Sequence, residues 1–170
     1  VGIARALRMV MLTAMRVGSV LKATWDEFDI EARVWNIPAA HMKMKVAHRV
    51  PLSDEALRLL AEVRGDEQHP KGLVFKGQAR SQPGPAKGMT DAAVRTMLRK
   101  VSPVPDADTG GLRSTFRDWC ADQTDYPREV AEVALAHLVG NEVERAYARS
   151  DLLERRAALM QDWGGFLTSD

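Results

Sequence analysis

Apolar residues recur at helical spacing through most of the chain, and a different pattern interrupts them in two short stretches. The helical stretches cover residues 3–14, 19–23, 53–63, 90–100, 111–123, 127–137, 141–149 and 151–163. Residues rich in β-branched and aromatic side chains predict strands at 34–37 and 48–52, joined by the basic connection AAHMKMKVA. The pattern therefore predicts a mainly α fold with a small antiparallel β-sheet.

Two polar stretches separate the predicted elements. Residues 64–89 are rich in Gly, Pro, Lys and Gln and predict a surface loop, although the apolar run Leu73-Val74-Phe75 lies inside it. Lys76, Arg80 and Lys87 in this loop either contact phosphates or are simply solvated. The stretch VSPVPDADTG predicts a linker before a helix that begins at Gly111.

Composition limits the class of protein only loosely. The chain of 170 residues suits one domain, and its net charge of +1 does not by itself predict a nucleic-acid partner. Its single cysteine, Cys120, excludes an internal disulfide and fits a reducing cytoplasm. We expect no membrane association, because no apolar run approaches spanning length and VGIARALRMV is not a signal peptide. The abrupt helical start predicts a piece of a longer protein.

Five polar residues stand at the edges of predicted elements. They are Arg16 at a helix–helix turn, Lys43 in the hairpin connection, Arg113 at a helix start, His137 at a helix end and Tyr147 ten residues later. Each has an ordinary structural explanation. The arginines suit salt bridges, Lys43 and Lys45 suit charges at a hairpin tip, the histidine suits a helix dipole, and the tyrosine suits a core.

Four blocks that contain these residues resemble one protein family. They are MLTAMRVGSVLKATWDEFD, HMKMKVAHRVPLS, GLRSTFRDW and LAHLVGNEVERAYARSDLLERRAALMQDW. Together, from Met11 to Trp163, they resemble the catalytic domain of tyrosine recombinases, and in particular the prophage integrases that move genomic islands. The resemblance implies the tyrosine recombinase catalytic-domain fold, with residues 1–170 as one catalytic domain and no N-terminal core-binding domain. It also implies a bacterial, cytoplasmic, nucleoid-associated protein.

The resemblance implies a metal-independent chemistry with no cofactor. Tyr147 would attack a DNA phosphodiester and form a 3′-phosphotyrosyl bond. Arg16 and Arg113 would bind the phosphate, since a guanidinium matches phosphate oxygens bidentately and stays charged. Lys43 would protonate the leaving 5′ oxygen, with Lys45 as the alternative, and His137 would donate to the phosphate.

The same resemblance implies the partners. Double-stranded DNA attachment sites would be contacted by Arg16, Lys43, Lys45, Arg113 and His137. Other protomers would join in a recombination complex, a tetramer on DNA. Residues 151–167 are amphipathic and pack either onto a neighbouring protomer or onto their own chain.

Two positions depart from the family pattern. Ser19 stands where an acidic residue is usual, and Gly110 stands where the motif H-x-L-R has its histidine. Losing a positioned acid–base group costs roughly 10²–10⁴-fold in rate. Three hypotheses follow: a working recombinase, a catalytically impaired DNA-binding domain of the same fold, and a helical DNA-binding regulator without covalent chemistry.

Overall fold

A computed structural model describes residues 1–77, 88–147 and 150–169, with the side chains of Ala146 and Tyr147 left aside. Arg80 and Lys87 therefore lie outside the described residues. The predicted fold class is confirmed: the chain is mainly helical and carries a small antiparallel sheet. The helices are α1 Gly2–Thr13, α2 Val17–Lys22, α3 Asp54–Arg64, α4 Asp91–Val101, α5 Thr109–Gln123, α6 Arg128–Ala134, α7 Glu142–Tyr147 and α8 Leu153–Thr168.

The sheet contains one strand more than the sequence predicts. Its strands are β1 Phe28–Asp29, β2 Val34–Ile37 and β3 His48–Pro51, in the order β1-β2-β3. Strand β1 was missed because two residues are too short to show an alternating pattern. On β2, Trp35 is completely buried in the main core, and it stacks on its β1 partner Phe28 with ring centroids 5.2 Å apart.

The main core lies between α1, α3, α4 and the sheet. The apolar face of α1 is buried at Met9 and Val10, as its helical spacing predicts. The helix ends where Ala14 adopts a left-handed backbone with φ of 55°, and the chain then turns into α2. A second cluster joins α5, α6 and α8, where the rings of Phe116 and Trp163 meet edge to face at 5.2 Å.

The predicted surface loop over residues 64–89 is wrong at its apolar run. Val74 and Phe75 are 3% and 2% exposed and belong to the main core. The backbone there pairs with the chain after α2, where Thr24 forms a β-bridge with Leu73 and Val74 N donates to Ala23 O at 3.0 Å. The apolar run at residues 73–75 thus packs into the main core through Val74 and Phe75, although polar residues flank it on both sides.

Several helix boundaries differ from the predicted ones. Helix α5 begins at Thr109 because the Asp108 carboxylate accepts a hydrogen bond from Gly111 N at 2.7 Å, so Thr109 and Gly110 lie in its first turn and not in the predicted linker. Helix α6 ends at Ala134, before the left-handed Ala136, and leaves His137 beyond its end. Helix α2 starts two residues earlier than predicted, and α8 continues to Thr168.

Helix α8 packs against its own chain. It lies against β3, α1, α3 and α6, and its apolar side chains Leu159, Met160 and Trp163 are buried there. In the described ranges, every helix is too short or too polar to cross a bilayer.

Candidate active site

Arg113 is a buried arginine that holds three elements together. Its side chain leaves α5 and its Nε donates to Ala14 O at 3.0 Å, while its Nη2 donates to Leu135 O. The residue is 9% exposed. Burial, followed by the positive charge of Arg16, lowers the pKa of Arg113 to about 10, so the guanidinium stays charged at neutral pH. The end of α1 and the end of α6 therefore meet at one cation.

Arg16 provides a second cation beside the first. It is the exposed residue before α2, in the turn that also carries the Ala14 carbonyl. Among the described residues, neither Arg16 nor Arg113 forms an ion pair with a carboxylate. Two adjacent positive charges without a protein counter-charge suit an external anion such as a phosphate.

The hairpin connection is fixed to α2 and to a buried carboxylate. The Ser19 hydroxyl donates to His41 O at 2.7 Å, and the His41 ring nitrogen Nδ1 lies 3.0 Å from an oxygen of the buried Glu27. Lys43 follows two residues later and is exposed. Lys45 has a left-handed backbone, and its Nζ lies 3.5 Å from Ala40 O. Ser19 therefore binds the hairpin connection to α2, at the position where the resembled family usually has an acidic residue.

His137 lies just beyond α6 and is oriented by a glutamate. Its Nδ1 is 2.6 Å from an oxygen of Glu132, and its backbone N donates to Glu132 O at 2.9 Å. Burial alone would raise the pKa of Glu132, but the hydrogen bond from His137 and the charge of Arg117 outweigh it and lower that pKa. The carboxylate thus stays ionised and holds Nδ1, which directs Nε2 of His137 away from it.

A cavity of about 310 Å³ joins the hairpin to the chain around Tyr147. Its wall includes Met42 and Met44 on either side of Lys43, His48, His137, Arg145 and Ser150. The Tyr147 backbone ends α7, and its side chain lies outside the described residues. The structure thus brings Arg16 to Arg113, and the Lys43 segment to His137. No three His, Cys, Asp or Glu side chains in the described ranges lie together as a metal site.

The position of the absent histidine lies close against the residue that caps α5. A Cβ built on Gly110 meets only the Asp108 carboxylate, at 3.2 Å. Two other histidines are engaged elsewhere: His41 pairs with Glu27, and the Nε2 of His48 lies 3.1 Å from Arg156. Burial and then the charge of Arg156 lower the pKa of His48 to about 4, with Arg113 contributing in the same direction, so His48 is neutral.

Comparison with known proteins agrees with this arrangement of elements. The sequence model of the phage integrase family matches residues 3–153. The chain belongs to the phage integrase family. Membership confirms the resemblance to tyrosine recombinases that the sequence blocks around Arg16, Lys43, Arg113 and His137 indicate.

This chain is similar to part of several individual integrases. The prophage integrase IntA of Escherichia coli K12 is 38% identical over 153 residues, which cover 90% of this chain and 36% of that protein. The integrase of Shigella phage Sf6 is 26% identical over 162 residues, covering 95% of this chain and 41% of the phage protein. The chain thus spans about two fifths of the length of these integrases.

A solved integrase structure has the same fold. The Tn1549 transposon integrase, determined in complex with transposon right end DNA, superposes with a TM-score of 0.56 at 16% identity. The match covers 91% of this chain and 57% of that one. At this identity the likeness shows the fold alone.

Sequence reasoning missed three residues that organise the site. Glu132 precedes His137 by five residues, which is not a helical neighbour spacing, and the two meet because the chain turns at the left-handed Ala136 after α6 ends. Glu27 closes a capping box with Thr24, which the pattern T-x-x-E also encodes. Arg156 offered no such pattern, since an arginine on an amphipathic helix is usually solvated.

Proposed function

We propose that this chain is the catalytic domain of a site-specific DNA recombinase, which cuts and rejoins DNA through a 3′-phosphotyrosyl intermediate on Tyr147. The observation that carries the proposal is that Arg113 is bonded to the carbonyl of Ala14, in the turn that carries Arg16, and that neither arginine pairs with a carboxylate among the described residues. Family membership supports it, as do the relatives named integrase and the DNA complex of the Tn1549 integrase. These observations favour a recombinase over a helical regulator without covalent chemistry.

In the proposed reaction the phenolic oxygen of Tyr147 attacks the scissile phosphorus. A bond forms between that oxygen and phosphorus, and the bond from phosphorus to the 5′ oxygen breaks. The leaving 5′ oxygen takes a proton from Lys43, and the phenolic proton passes to water because Gly110 offers no side-chain acceptor. Rejoining reverses these steps with the 5′-hydroxyl of the partner strand as nucleophile.

The proposed role of the cations is to stabilise charge on the phosphorane. The recorded bonds of Arg113 use Nε and Nη2, and within the described residues its Nη1 has no protein acceptor. That nitrogen is available for a phosphate oxygen, together with the guanidinium of Arg16. His137, oriented by Glu132, donates from Nε2. Preorganised donors of this kind are each worth about 10²–10³-fold in rate.

The proposed partners follow from the same chemistry. Double-stranded attachment-site DNA lies across Arg16, Lys43, Lys45, Arg113 and His137, and further protomers complete a tetrameric recombination complex. Residues 1–170 act as the single catalytic domain of an integrase in the bacterial cytoplasm, on the nucleoid.

Gly110 supports a second candidate function. A domain with this fold and no side chain at that position would bind DNA and cut it poorly. In this case the arginine pair serves binding, while covalent chemistry is slow.

The test is trapping of a covalent adduct by the full-length protein. The probe is a pool of nicked DNA duplexes that span the chromosomal junctions of the genetic element encoding the protein. Cutting by the protein releases a short strand next to the nick, and the loss of that strand prevents rejoining. We expect a protein–DNA adduct with the wild type and none with Tyr147→Phe, because only the phenolic oxygen can form the bond. Mass spectrometry should locate the nucleotide on the peptide that contains residue 147.

Three results separate the candidates. A Tyr147-dependent adduct supports the recombinase. Binding in a mobility-shift assay without an adduct supports the impaired domain. An adduct that persists in Tyr147→Phe contradicts the proposed nucleophile.

A further inference from the structure

A buried arginine joins α8 to the edge of the sheet. Arg156 is 1% exposed, its Nη2 donates to Arg49 O, and its Nη1 donates to Asp151 O at 3.2 Å. Its Nη2 also lies 3.1 Å from Nε2 of His48, which must accept because a guanidinium has only donors. These contacts connect β3, the first turn of α8 and the chain just before that helix.

Asp151 supplies the counter-charge for this arginine. One of its oxygens lies 3.9 Å from Nη1 of Arg156, and within the described residues it is the only carboxylate within 4.0 Å of that side chain. Arg49 adds a bidentate pair, donating from Nε and Nη2 to the two carboxylate oxygens at 2.8 and 2.7 Å. The hydrogen bond from Arg49 is the main reason that the pKa of Asp151 lies below its usual range. We call these three residues the Asp151 clamp.

The position of the clamp in the chain matters because Asp151 follows Tyr147 by four residues. Before the tyrosine, the chain is held where Arg113 binds Leu135 O and where His137 pairs with Glu132. Between these anchors, residues 142–145 of α7 are all exposed, so packing of their side chains does not hold the helix. Among the described side chains, the contacts that flank α7 are therefore those of Arg113 and His137 upstream and those of the Asp151 clamp downstream.

We propose that the Asp151 clamp is a positioning device that fixes the downstream end of the tyrosine segment and so sets where Tyr147 stands for attack. The inference rests on the proposed function in taking Tyr147 as the nucleophile. A buried cation that loses its anion is strongly destabilised, so the clamp resists opening. Misplacing a reacting group by 1 Å costs roughly 100-fold in rate.

The experiment compares two clamp variants with a matched control. Asp151→Asn removes the shared carboxylate charge, and Arg49→Gln removes only the outer, exposed partner. Glu62→Gln is the control, since it breaks an exposed pair with Arg8 on the far side of α3. Each variant is measured for amide exchange without DNA, for the rate of adduct formation at saturating nicked duplex, and for DNA affinity in a Tyr147→Phe background.

We expect faster amide exchange in α7 for both clamp variants, together with the start of α8 and β3 that the clamp joins, and no change in the elements away from it. Adduct formation should slow by roughly 10–100-fold, while DNA affinity stays within about twofold, since the clamp acts on the nucleophile and not on phosphate binding. A residue with a merely structural role would lower affinity and rate together. The Glu62→Gln protein should match the wild type in all three measurements.

Unchanged α7 exchange in the clamp variants would overturn the inference, and so would faster exchange with an unchanged adduct rate. If the wild type forms no adduct, the proposed function fails while exchange still decides whether the clamp holds α7. If Asp151→Asn does not fold, Arg49→Gln decides alone, because it leaves the contact between Arg156 and Asp151 intact.

Discussion

The Nε of Arg113 donates a hydrogen bond to the carbonyl oxygen of Ala14 at 3.0 Å, joining residues that are 99 positions apart. The same side chain donates to Leu135 O through Nη2. The guanidinium proposed to bind phosphate is therefore also a cross-link of the native fold. Its two roles predict that one substitution will affect stability and reaction rate together.

Replacing this arginine by lysine should separate charge from geometry. In Arg113→Lys a single ammonium cannot serve both carbonyls and a phosphate, so adduct formation should fall roughly 10²–10³-fold. The free energy of unfolding should fall by about 1–3 kcal/mol, since a buried carbonyl loses its donor. Denaturant unfolding and adduct kinetics measure the two effects. Arg117→Lys, on the same helix and half exposed, is the control and should change neither.

A histidine at position 110 should increase activity. A Cβ at position 110 would lie 3.2 Å from the Asp108 carboxylate, so that carboxylate must shift by a few tenths of an ångström to accept a side chain. We expect Gly110→His to form adduct roughly 100-fold faster than Gly110→Ala, which controls for helix propensity. Equal adduct rates in the two variants would mean that the glycine does not limit the chemistry.

A sulfur-substituted substrate should identify the catalytic lysine. Lys43→Ala should lose roughly 10²–10⁴-fold in adduct rate on ordinary DNA. It should regain most of that rate when sulfur replaces the bridging 5′ oxygen, because a thiolate leaves without a proton. Lys45→Ala should behave like the wild type on both substrates. The reverse pattern would assign the role to Lys45.

The stability of the chain should fall in mild acid because of His48. Its pKa is lowered from 6.5 in the unfolded state to about 4 in the folded state, by burial and then by Arg156. Between these values the unfolded chain binds the extra proton, so stability is lost as pH falls from 6.5 to 4. The loss is up to about 3 kcal/mol. His48→Gln keeps an acceptor for Arg156 and should flatten this part of the unfolding curve, whereas His69→Gln should leave it unchanged.

Much of the fold could be predicted from the sequence because its helices have clear apolar faces. Strand β1 was too short to show a pattern, and the burial of Val74 and Phe75 depends on pairing with distant Thr24, which local periodicity does not encode. The start of α5 was misplaced because glycines suggest a turn. There the Asp108 cap outweighs their low helix propensity.

The site was predicted only in part for a similar reason. A family motif identifies residues such as Arg16 and Arg113, and their proximity is supported by the influence of Arg16 on the pKa of Arg113. The supporting contacts of Glu132 and Arg156 are tertiary and leave little trace in one sequence. The roles of Lys43, His137 and Tyr147 stay predictions for the experiments above.

Arg113 has a consequence for the chain during its synthesis. Its guanidinium donates hydrogen bonds to the carbonyls of residues 14 and 135. In the same way, Arg156 joins α8 to β3. A nascent chain that has emerged only as far as α5 contains Arg113 but lacks Leu135, one of the two carbonyl acceptors of its guanidinium. A truncated translation product ending before α8 likewise lacks the clamp. The proposed active site therefore assembles only after α6 and α8 have been synthesised.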